Sequence, residues 1–187
     1  MKANIVIAIL TVYSLCSCFN FEKPDHFPII LQDRRAQCGP VCLQMISEHY
    51  GREMDLEVLE RLTRMDHNGT SLLGVSDAAD SLGFRTLAAK IPFDKFVLEA
   101  PLPGIVHWRN NHFAVVYKAE MDSIWVADPA VGKIVYSAKD FKDGWIKSDS
   151  VGVDVGVVLL METTDRFYRQ RQPNVTLSKQ PTTQEDF

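Results

Sequence analysis

The chain has 187 residues, with 20 Lys plus Arg against 24 Asp plus Glu, a formal net charge of −4, 46% apolar and 24% charged residues. At roughly 150 residues per domain this is one domain with a short extension, and the balance excludes a disordered, collagen-like or multi-span membrane chain. No broad basic surface is available to neutralise phosphates, so nucleic acid is not an expected partner. Four cysteines are too few for a disulfide scaffold.

In chain order, the first feature is Lys2 followed by the uncharged run Ile5–Leu15. Its length fits the apolar part of a secretory signal and falls short of the roughly 20 residues a spanning helix needs. Leu15-Cys16-Ser17-Cys18 is similar to a bacterial lipoprotein box in which Cys18 would be acylated. A core strand or helix is the alternative. The expectation is a signal- or lipoprotein-like segment at 1–18 and a protein of the cell envelope, membrane-associated or secreted.

Gly39–Tyr50 places apolar residues at 41, 42, 45, 46 and 50, with Pro40 near the start and Gly51 just past the end, and predicts a helix. Asp55–Leu62 predicts a second with Asp55 as N-cap, and Thr70–Leu82 a third, stopped by Gly83. The pattern then changes to short runs rich in Val, Ile and aromatics: Phe84–Lys90, Gly104–Trp108, His112–Tyr117, Ser123–Ala127, Lys133–Ser137 and Gly156–Glu162. Helices first and strands afterwards predict an α+β fold. The polar segment 169–187 is expected to be a disordered tail.

A nucleophilic cysteine must ionise, which requires a positive environment and a neighbouring base. Cys38 stands at the start of the first predicted helix, where unpaired N–H groups and the dipole favour negative charge. Cys42, one turn on beside Met45 and Ile46, reads as core. Cys38, Cys42 and His49 share one helix with no second ligand pair, so no metal or cofactor is expected. Two histidines remain candidates for the base. His112 opens a strand after the turn-prone Asn110-Asn111, and His107 lies inside the preceding strand beside Trp108. Asp128, at the end of the strand that pairs with His112–Tyr117, is placed to orient a base, although an Asp before Pro129 is also a common turn starter.

The stretch Gln32–Ile46 (QDRRAQCGPVCLQMI), with Gly69–Ala79, Leu82-Gly83-Phe84, Pro101–Trp108, Asn111-His112-Phe113 and Val126–Gly132, resembles the bacteriocin-processing cysteine peptidases. These are the double-glycine leader peptidase domains at the N-terminus of peptide-exporting ABC transporters. The resemblance covers about residues 27–168. It implies a papain-like fold, with N-terminal helices packed on an antiparallel β-sheet, and a Cys–His–Asp triad in that chain order. Carried to this chain, the implied nucleophile is Cys38, the base and acid His112, the orienting carboxylate Asp128, and the oxyanion donor the side-chain amide of Gln32. The family often has Asp immediately before the nucleophile, where this chain has Gln37, a change expected to act on local electrostatics. A phosphate loop GxxxxGK[ST] does not occur in the sequence.

The resemblance therefore implies a freestanding thiol endopeptidase that cleaves leader peptides after a Gly-Gly type site, with a separate peptide-exporting ABC transporter as an expected partner. Two alternatives stand beside it: a non-catalytic leader-binding docking module for a separate transporter, and an envelope cysteine peptidase with other substrates. Leaders are made in the cytoplasm, so cleaving them would place the domain on the cytoplasmic side of the inner membrane, against the export expectation.

Overall fold

The computed structural model describes residues 26–109, 111–148 and 154–170. The expected signal-like segment at 1–18, with Cys16 and Cys18, lies outside the described residues, as does the polar stretch from 171 onward. Among the described residues no helix is long and apolar enough to cross a membrane.

A short 3₁₀ turn, Arg35–Gln37, runs directly into α1 (Cys38–His49), followed by α2 (Leu56–Leu62) and α3 (Leu72–Leu82). Asp55 caps α2 by accepting from the Glu57 N–H, and Ser71 caps α3 by accepting from the Gly74 N–H. The strands and later helices alternate: β1 (Phe84–Ile91), α4 (Phe93–Glu99), β2 (Gly104–Trp108), β3 (His112–Ala119), β4 (Ser123–Asp128), β5 (Gly132–Ser137), α5 (Ala138–Trp145), β6 (Lys147–Ser148), β7 (Asp154–Thr163) and α6 (Asp165–Arg169). The sheet has the order β1-β7-β2-β3-β4-β5, with β6 paired to β7. Every pairing is antiparallel. The α+β expectation holds.

Alternate residues of the central strands feed two separate cores. Ile105, Phe113, Val115, Ala127 and Leu159 face Val41, Cys42, Met45 and Ile46 of α1 and Val75, Ala78 and Ala79 of α3. Their neighbours Val106, Ala114, Val116, Val126 and Val158 face Phe93 and Phe96 of α4 and Phe141 and Trp145 of α5. Both faces are therefore covered, which explains why these strands read as continuous apolar runs. The helices of the second face, α4 and α5, have no counterpart in the sequence reading. Phe93 and Phe96 are three residues apart and Phe141 and Trp145 four apart, the spacing of one helical face, but each helix is only about two turns long and its periodicity is short.

The C-terminal end is tied back to the helical layer at Gly83. This residue ends α3 with φ +97°, and its carbonyl oxygen accepts hydrogen bonds from the Thr164 hydroxyl (2.5 Å) and N–H (3.3 Å). A Cβ at Gly83 would stand 2.5 Å from the Phe167 backbone nitrogen. Arg52 spans the same junction, donating to the carbonyls of Leu82 (2.9 Å) and Phe167 (3.3 Å). Gly83→Ala thus meets both a left-handed backbone and a closed space, and is expected to cost more than about 1 kcal/mol. An unshifted urea midpoint for this variant would show that the junction does not support the fold.

Candidate active site

Cys38 is the first residue of α1, so its side chain sits where the N–H groups of the first turn have no intrahelical acceptor and the helix dipole is positive. Approach of the 67–72 loop to this helix end depends on Gly39. A Cβ there would lie 2.3 Å from Thr70 Cγ2 and 3.0 Å from Val75 Cγ2. Thr70 is held in turn by a hydrogen bond from its hydroxyl to the Thr63 carbonyl oxygen (2.7 Å). The result is a cleft of about 650 Å³ beside Cys38, walled by Arg35 and Ala36, by the 67–72 loop, and by His107, Asn111 and Phe113.

His112 is the first residue of β3 and Asp128 the last of β4, and the antiparallel pairing of these strands brings their ends together. His112 Nε2 lies 2.8 Å from Asp128 Oδ1. The same oxygen accepts from the Ala130 N–H at 2.8 Å, which closes the turn after β4 around the carboxylate. Only 6% of the Asp128 side chain and 18% of the His112 ring are exposed, so water competes weakly for this bond. Cys38 is the other group that acts electrostatically on this ring. Burial pulls the imidazole pKa down, but the hydrogen bond to Asp128, with the charge of that carboxylate and the influence of Cys38, outweighs it and pushes it up to about 9. The protonated ring is thus the favoured form near neutral pH.

Cys42 differs sharply although it shares the helix. It is fully buried, and burial pushes its thiol well above the ordinary value, with the charges of Cys38 and Asp128 adding to the shift. It stays a neutral, apolar side chain.

Gln32 begins the loop that leads to Cys38. Its backbone N–H donates to the Pro129 carbonyl oxygen at 2.8 Å, joining this loop to the turn after Asp128. Its side-chain nitrogen makes a long bond, 3.4 Å, to the Arg35 carbonyl, and Oε1 is buried without a partner. Gln37 is 3% exposed, and its amide faces back into this loop rather than forward onto the helix. The site therefore brings Cys38, His112 and Asp128 together, with Gln32 on the adjoining loop.

None of the other described histidines is bonded to Asp128. His107 packs against Phe113, ring centroids 5.3 Å apart, and reaches the cleft wall. His49 packs between Phe27 and Tyr50. His67 lies in the loop of the cleft wall, where Nε2 is 3.0 Å from Asn68 Nδ2. Among the described residues no cluster of three or more His, Cys, Asp or Glu has the arrangement of a metal site. The cleft wall itself was missed in the sequence. Its one local signal is the turn-forming His67-Asn68-Gly69 before the cap of α3.

Comparison with known proteins gives the family of the chain. The model of the Peptidase C39 family matches residues 26–148. The lactococcin-G-processing and transport ATP-binding protein LagD of Lactococcus lactis subsp. lactis is 38% identical over 122 residues, covering 63% of this chain and 17% of that protein. The colicin V secretion/processing ATP-binding protein CvaB of Escherichia coli is 36% identical over 106 residues, covering 56% of this chain and 15% of that one. The chain thus spans less than a fifth of the length of either relative. Among solved structures, a double glycine motif protease from an AMS/PCAT transporter, in complex with the leader peptide, superposes with a TM-score of 0.66 at 25% identity. That match covers 73% of this chain and 91% of the other. The peptidase domain of Streptococcus ComA, a bi-functional ABC transporter, gives 0.65 at 26% identity over 74% of this chain and 100% of that one. With a family match over well more than half of its length and a papain-like arrangement of helices on an antiparallel sheet, the chain belongs to the Peptidase C39 family.

Proposed function

We propose that this domain is a thiol-dependent endopeptidase that cuts peptides after a Gly-Gly pair at the end of a leader. The observation that carries the reading is the hydrogen-bonded pair His112–Asp128 acting on Cys38, which stands at the start of a helix and in the wall of a cleft. In this reading Cys38 attacks the scissile carbonyl as a thiolate, made favourable by the protonated His112 and the helix end. His112 then gives its proton to the leaving amine, and takes one back from the water that hydrolyses the thioester. Asp128 holds the ring in orientation and stabilises its charge. The Cys38 N–H and the Gln32 amide are the two donors for the oxyanion. The Gln32 side-chain nitrogen makes one long bond, to the Arg35 carbonyl, which an oxyanion would replace.

Glycines suit the site because a backbone without side chains can approach the sulfur closely. Relatives named for both processing and transport support a peptide-exporting ABC transporter as partner, and with it a place on the cytoplasmic side of a membrane. The alternative of a docking module without catalysis has no need of a buried, charge-paired histidine beside a cysteine.

Cys38→Ala is expected to lower cleavage of a leader peptide ending in Gly-Gly on the order of 10⁴-fold or more. Cys42→Ala should cost about 1 kcal/mol of stability and leave kcat near wild type. Mass-spectrometric detection of cut product reads both. Activity that survives in the first variant and disappears in the second would reverse the assignment. For the wild type, kcat/KM should fall as pH rises through about 9, where His112 loses the proton it must donate. Because its folded pKa lies above the ordinary 6.5, the stability this ring contributes is full below about pH 6.5 and is lost as pH rises through about 9. Asp128→Asn removes the charge that raises the ring, so the alkaline limb should move to lower pH and the loss of stability should be greatest in acid. An alkaline limb that does not move would exclude Asp128 as the partner that sets the proton.

A further inference from the structure

Gln37 occupies the N-cap position of α1 but caps nothing in that helix. At this place a short polar side chain ordinarily bends forward to the N–H groups of the first turn. Here the side chain bends backward. Its Oε1 accepts from the N–H of Asp33 (3.0 Å) and of Arg34 (2.8 Å), and its Nε2 donates to Glu60 Oε1 of α2 at 2.6 Å. The same carboxylate oxygen accepts from Arg34 Nη2 at 2.7 Å. Gln37 also closes the 3₁₀ turn with its own N–H, which donates to the Arg34 carbonyl at 3.0 Å.

These bonds convert residues 32–37 into a closed loop with two fixed ends. One end is Gln32, whose N–H is bound to the Pro129 carbonyl in the turn after Asp128. The other is Gln37, bonded covalently to Cys38 and latched to α2. Both oxyanion donors of the proposed reaction, the Gln32 amide and the Cys38 N–H, lie at the two ends of this loop, so its shape sets the distance between them. The sequence-based expectation for Gln37 was electrostatic. Its environment instead gives it a geometric task, because a neutral amide is both acceptor to two backbone N–H groups and donor to a carboxylate.

The geometry points to Gln37, held by Glu60, as a positioning residue for the oxyanion site: it sets the spacing of Gln32 and Cys38 without touching the substrate. This rests on the peptidase reading above. The Gln37–Glu60 contact depends on complementary roles, with Gln37 donating and Glu60 accepting, and those roles can be exchanged. Gln37→Glu keeps the two backbone acceptors but sets two carboxylates against each other. Adding Glu60→Gln restores a donor–acceptor pair with its polarity reversed and removes the Arg34–Glu60 ion pair, so the double variant is read against Arg34→Ala, which removes that ion pair alone.

The test uses the full-length protein and a leader peptide ending in Gly-Gly, with kcat and KM measured beside the rate at which iodoacetamide alkylates Cys38. Alkylation reads the Cys38–His112 pair and makes no use of an oxyanion site. Gln37→Ala and Gln37→Glu are expected to lower kcat by about 10–10²-fold, the scale of an ångström-sized misplacement. KM and the alkylation rate should stay within about twofold of wild type, while Gln37→Glu/Glu60→Gln recovers most of the lost kcat. Should Gln37→Ala fail to fold, the exchange pair alone decides. An active wild type with unchanged kcat in Gln37→Glu, or a double variant as slow as the single, would overturn the positioning role. So would alkylation falling in step with kcat, since the defect would then lie in the thiol–imidazole pair. A wild type that alkylates normally but cuts no such peptide would remove the peptidase reading, and the positioning role with it.

Discussion

Asp128 Oδ1 accepts one hydrogen bond from His112 Nε2 and another from the Ala130 N–H, each 2.8 Å long, and the arrangement of the site follows from that one oxygen. The first bond holds the ring in orientation and raises the imidazole pKa against the pull of burial. The second wraps the turn after β4 around the carboxylate and presents the Pro129 carbonyl to the Gln32 N–H. Both partners are largely buried, so the sheet register that delivers His112 to Asp128 is a condition of the bond between them.

The helical layer supplies the other half. Cys38 stands at the start of α1, at the positive end of the helix dipole, while Cys42, four residues on, is enclosed by the α1–sheet core and kept neutral. One helix therefore carries two cysteines in different surroundings. Close packing of α1 against the 67–72 loop, possible because residue 39 is glycine, forms the cleft wall beside the first.

Much of this was legible in the residues. Helices α1 to α3 and strands β1 to β5 and β7 carry strong local signals: the cap Asp55, the stop at Gly83, and β-branched runs bounded by turn residues. Cys38 at a helix start could be singled out from Cys42 by position. The choice between His107 and His112 could not be made from periodicity, because both stand on apolar strands beside an aromatic residue. Only the pairing of β3 with β4 shows which one meets a carboxylate. Helices α4 and α5 were invisible because two turns of helix hold too few residues to establish a period.

The sequence by itself determined the order of elements, the α+β class and the set of residues able to do thiol chemistry, since capping, alternation and helix-end position are local properties. Tertiary structure decided which of these groups meet. It turned Gln37 backward onto Glu60, tied Gln32 to the turn after Asp128, and set His107 in the cleft wall with its ring against Phe113. Hydrogen bonds between residues 16 or 23 positions apart depend on where whole elements pack, and no local pattern encodes that distance.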